Sequence, residues 1–140
     1  MTKTLKTLVK LSKQELDIRR NNLNVILEKI DNIEEEISNM DEMLLKEQEI
    51  SMQSFEARHM FNNFAASVKM KKQNLQAAIR ALMQQAEQIE EEIKDFFIEL
   101  KKYEILLEKK EKEIKQKIDK KSQMEGDEIS LVQYNINNKK

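Results

Sequence analysis

Residues 23–44 read LNVILEKIDNIEEEISNMDEML, and the apolar side chains Leu23, Ile26, Ile30, Ile33, Ile37, Met40 and Leu44 recur in steps of three and four. Such steps average 3.5 residues, the period of a helix that lays one stripe against a second helix. Toward the N-terminus the stripe takes in Leu5, Val9 and Leu16, so it runs well past the three or four heptads that define a coiled coil. A second stripe follows at Phe61, Ala65, Val68, Leu75, Ile79, Leu82, Ala86, Ile89, Ile93, Phe96, Leu100, Tyr103, Leu107 and Ile114. Two stripes imply two long helices.

Composition points the same way. Among 140 residues there are one Gly, no Pro and no Cys, while charged residues reach 36% and aromatics 5%. Sheets and loop-rich folds need turn residues about every 8–12 positions, so barrels, sandwiches and dinucleotide-binding folds are excluded, and most enzyme scaffolds with them. Without cysteine there are no disulfides and no thiolate metal sites. No run approaches the roughly 18 apolar residues of a membrane span, and the opening Met1-Thr2-Lys3-Thr4-Leu5-Lys6 lacks a signal-peptide core. The expected compartment is the cytosol.

The formal net charge of −1 conceals blocks. Residues 1–20 are net basic, 28–56 strongly acidic, 58–80 basic, 87–99 acidic and 101–121 basic. Near-neutrality argues against nucleic acid as the main partner. In an antiparallel hairpin the acidic 28–56 segment lies mainly beside the basic 58–80 segment, whereas a parallel in-register dimer of uninterrupted helices stacks acid on acid. The charge blocks therefore favour the hairpin.

Between the stripes the seam falters at Glu47, Ser51 and Ser54. Ser51 or Ser54 suits the N-cap of a second helix, and Asn62-Asn63 offers a left-handed turn slightly later. The reading is all-α: an antiparallel coiled-coil hairpin over 1–121, with helix 1 about 3–52, a turn within 51–63 and helix 2 about 56–121. Both termini are expected at one end of a thin rod. Beyond Lys121 the heptad pattern ends and Gly126 appears, so 122–140 reads as a flexible tail.

Candidate chemistry is sparse. His59 is the only histidine, and Glu56 is the only acid near it, too little for a metal site. The runs Glu34-Glu35-Glu36 and Glu90-Glu91-Glu92 read as solvated helix faces. No phosphate loop or nucleophile constellation is present, so the expectation is a non-enzyme with no cofactor, no metal and no small-molecule substrate.

Apolar residues outside the seam say more. Leu11, Ile18 and Val25 are spaced by seven at an outward heptad position, as are Ile98 and Ile105, with Phe97 and Leu106 beside them. Met43, Leu45, Ile50, Met52, Phe55, Met60 and Phe64 crowd the turn. Exposed apolar stripes mark interfaces. They serve either a homo-oligomeric spacer, for which a weak homodimer is an allowed state, or docking to other proteins, for which the methionines are suited.

The opening segment Leu5-Lys6-Thr7-Leu8-Val9-Lys10-Leu11-Ser12-Lys13-Gln14-Glu15-Leu16-Asp17-Ile18-Arg19-Arg20 resembles the start of the flagellar export protein FliJ family. The stretch Leu100-Lys101-Lys102-Tyr103-Glu104-Ile105-Leu106-Leu107-Glu108-Lys109-Lys110-Glu111-Lys112 is similar to that family's C-terminal charged helix, and Asp127-Glu128-Ile129 to a short acidic segment of some members. Length, hairpin pattern and lack of cysteine agree, so the resemblance spans nearly the whole chain.

The resemblance implies a soluble coiled-coil stalk of the flagellar type III export apparatus, cytoplasmic and peripheral to the inner membrane. It implies three partners: the ring of the export ATPase, the cytoplasmic domain of the membrane export gate, and export chaperones. By matching positions, the ATPase-facing surface is expected on Lys6, Lys10, Leu11, Lys13, Arg19 and Arg20, with Lys101, Lys102, Ile105, Lys109 and Lys112, and the outward apolar residues Ile18 and Ile98 are expected to join it. The gate-facing surface is expected near the turn, at Met43, Glu47, Ile50 and Phe64. The aromatic turn region around Phe55 to Phe64 departs from the family pattern. A stalk of a virulence-type injection system has the same physics and is the other address the pattern allows.

Overall fold

The computed structural model describes residues 1–138, and it is two helices: α1 over Thr2–Ser51 and α2 over Phe55–Asn138. There is no strand among the described residues. An interior free of Pro, with the one Gly late in α2, leaves the i→i−4 ladder intact throughout.

The chain reverses over residues 52–54 without any positive φ. Ser54 caps α2: its Oγ accepts the Ala57 N–H at 3.0 Å and its carbonyl accepts the Arg58 N–H at 3.1 Å. Glu56 adds a negative charge in the first turn, where the helix dipole favours it. Ser51, the other capping candidate, instead closes α1. It is buried, and its hydroxyl donates to the Gln48 carbonyl at 2.7 Å. Asn62 and Asn63 make no turn and lie within α2, because Ser54 has already satisfied the helix start.

The packing divides into two units. The larger, Leu16–Asp95, is an antiparallel hairpin by itself. Its centre is Ile26, Ile30 and Ala86, with Leu23, Ile79, Leu82 and Ile89 packed around them, and Leu16 and Val68 are also buried. A two-helix seam covers each side chain from one direction only, and none is completely buried. Charge pairs flank the seam as the blocks require: Lys72 Nζ meets Asp41 Oδ1 at 2.6 Å, and Arg19 Nε meets Glu92 Oε2 at 3.2 Å.

The second unit joins Met1–Glu15 to the part of α2 from Phe96 onward. Ser12 and Leu100 are buried, and Leu5, Val9, Phe96, Tyr103 and Leu107 are half-buried. Lys6 reaches Glu111 at 3.9 Å. From Glu111 on, every described residue of α2 is exposed, since α1, over Thr2–Ser51, does not run alongside it. Ile114, expected in the seam, is exposed for this reason.

The flexible tail expected over 122–140 is corrected: α2 continues as helix to Asn138, through Gly126, and is 84 residues long. A lone Gly costs a helix only about 1 kcal/mol, and no Pro follows to stop it. Residues 139 and 140 lie outside the described residues.

Candidate docking surface

On the part of α2 that belongs to the second unit, Phe97, Ile98, Lys101, Lys102, Ile105 and Leu106 line an open groove of about 440 Å³. Their spacing of four with a neighbour at each step puts them on one broad helix face. Ile98 is 57% exposed and Ile105 63%, so this is apolar area held in water. Lys101 leans its ammonium over the Phe97 ring, 5.4 Å from the centroid, and also reaches Glu104 at 3.4 Å. Those two contacts fold its charge down along the apolar strip.

A second groove of similar volume adjoins the first through Leu106, and is lined by Met1, Thr4, Leu5, Leu106 and Lys110. Leu106 therefore joins the α2 strip to the start of α1. On α1 in the same unit, Leu11 is exposed, as are Lys6, Lys10 and Lys13. Lys109 and Lys112 are exposed on α2. Tyr103, half-buried beside this strip, donates its hydroxyl to Glu99 at 2.9 Å. That hydrogen bond, with a smaller desolvation effect and the carboxylate's charge, raises the phenol's pKa above its ordinary value.

Other expected residues belong to the larger unit. Ile18 and Arg20 are exposed there, but Arg19 is half-buried in its ion pair with Glu92 and is not a free cation. Near the turn, Glu47, Ile50 and Phe64 come together around a groove of about 430 Å³, completed by Ser51, Ala57, Met60 and Phe61. Met43 is exposed and does not line it. Phe55, 84% exposed, stands over a further hollow with Glu56, His59 and Met60. Leu5 escaped the sequence reading as a site residue because it was assigned to the seam, and only three-dimensional packing brings it to one edge with Leu106.

Among the described residues, no group of three His, Cys, Asp or Glu side chains is placed to hold a metal ion. No helix is long and apolar enough to cross a membrane. The arrangement suits reversible binding of protein surfaces: apolar area supplies affinity, and lysines at the edge steer an acidic partner. A family model described as Flagellar FliJ protein matches residues 1–139. No curated protein matches the chain, and neither does any solved structure.

Proposed function

Because the chain belongs to the FliJ family of flagellar proteins, and is thereby a coiled-coil protein of flagellar export, we propose that it is a non-enzymatic stalk and adaptor that docks into the export ATPase ring. The continuous exposed strip from Phe97 to Leu106, reaching Met1 and Leu5 and edged by Lys101, Lys102 and Lys110, carries this reading. A patch of this kind is costly to leave in water and is covered when a partner binds. The groove of Glu47, Ile50 and Phe64 near the turn is the second contact in this proposal, facing the cytoplasmic domain of the export gate. The adjoining methionines give the turn region the adaptability that handling several export chaperones requires. The protein works at the cytoplasmic face of the inner membrane and performs no covalent step.

Titration of purified export ATPase with the full chain tests the proposal. Ile98→Asp with Ile105→Asp is expected to weaken binding at least tenfold while the far-ultraviolet helical signal is unchanged, because both side chains are exposed. Lys101→Glu with Lys102→Glu should slow association mainly at low salt. Failure of the wild-type chain to bind either the ATPase or the gate domain would sink the reading.

A further inference from the structure

The part of α2 beyond Glu111 has apolar residues on one face but no neighbour among the described residues. Ile114, Ile118, Ile129, Val132 and Ile136 are all exposed. At about 100° per residue they project within an arc of about 60°, which Glu125 interrupts between Ile118 and Ile129. That arc continues the face on which Phe96, Leu100 and Leu107 pack in the same unit. The seam thus goes on after its partner has stopped. All five side chains are β-branched, the type that coiled-coil seams favour, and a stripe of them in water calls for a cover.

We propose that a second copy of this chain supplies that cover, through antiparallel pairing of the two 111–138 segments. Charge decides the occupant and its direction. Before the midpoint of the segment Lys112, Lys115, Lys117, Lys120 and Lys121 outnumber Glu111, Glu113 and Asp119, a net +2, and after it Glu125, Asp127 and Glu128 give a net −3. Antiparallel pairing about residues 123 and 124 lays the net-basic half of each copy along the net-acidic half of the other, with Lys120 opposite Asp127. It also sets Ile118 opposite the second copy's Ile129 and brings Ile114 beside its Val132. A parallel in-register pair would instead stack lysine on lysine and acid on acid, which is disfavoured. Geometry fits as well. In this register the second copy's Asn138 lies beside Lys109, next to the groove lined by Met1, Leu5, Leu106 and Lys110. The second copy takes over the seam where α1 leaves it.

The native chain has no cysteine, so single cysteines report the register directly. Full-length Ile118→Cys and Ile129→Cys variants are purified separately, mixed, and oxidised mildly. The expected product is a mixed disulfide dimer that exceeds the cross-linking of either variant alone by tenfold or more. Sedimentation of the unmodified chain should show a monomer–dimer equilibrium, and Ile118→Glu with Ile129→Glu should raise its dissociation constant at least tenfold with helicity retained. A chain that stays monomeric at every concentration overturns the proposal. So does a dimer that survives the double Glu change, or Ile118→Cys cross-linking to itself as readily as to its mixed partner. None of these readouts involves the export ATPase.

Discussion

Ile30 and Ile118 are the same residue in the same kind of helix, each on an apolar stripe, yet Ile30 is 6% exposed and Ile118 61%. The difference lies in the neighbour. Around Ile30, α2 returns with Ala86, Ile79 and Leu82 to close the seam. Around Ile118, α1 has already ended. A stripe marks which face of a helix is apolar, while the length of the opposing element decides whether that face is buried.

The sharpest way to break the contrast is to truncate both isoleucines. Ile30→Ala is expected to cost about 2–5 kcal/mol, read as a lower urea midpoint. Ile118→Ala, measured in dilute solution, should change the midpoint by no more than about 0.5 kcal/mol. A large effect at Ile118 in the dilute monomer would show that the segment is packed after all.

The turn offers the next test, since the hairpin around Ile30 exists only because the chain reverses. Ser54→Ala removes the cap on the Ala57 N–H and should cost about 1 kcal/mol. Ser54→Gly should recover most of that loss, because glycine tolerates the cap conformation.

Gly126→Ala probes the other side of the comparison. Nothing lies within 4 Å of a Cβ built there, so the change adds helix propensity without a clash. It should stabilise the C-terminal segment by up to about 1 kcal/mol, visible as slower amide exchange over 111–138, and leave the hairpin around Ile30 untouched. Smallest of all, Lys72→Ala should cost about 0.2–1 kcal/mol and less at high salt, since its pair with Asp41 is partly exposed.

The seam from Leu5 to Leu107 was legible because a coiled coil repeats one simple geometry, and apolar residues at a 3.5 period have few other uses in so charged a chain. The C-terminal segment was not. Ile118 to Ile129 is a step of eleven, which a seven-residue count loses although a straight helix keeps both on one face. The turn was legible to within a dozen residues, but two serines qualified as caps, and only the hydroxyl of Ser54 aims at a free N–H. Of the candidate site, Ile98 and Ile105 announced themselves by repeating at an outward position. Arg19 and Arg20 looked equivalent in sequence, yet they point differently, and only Arg19 is engaged with Glu92. The link from Leu106 to Met1 and Leu5 needed the register of two distant segments, which no local pattern encodes.

That no side chain in the Leu16–Asp95 hairpin is completely enclosed has a consequence for how it fails. Each layer of the seam shares contacts with the layers just above and below it, and there is no central plug whose loss releases the rest. Damage should therefore stay near where it occurs, with effects of well-separated layers adding. Amide protection should peak around Ile26, Ile30 and Ala86 and fall away on either side. Such a hairpin loosens one turn at a time, so it tolerates a faulty residue by giving up a neighbourhood rather than a fold.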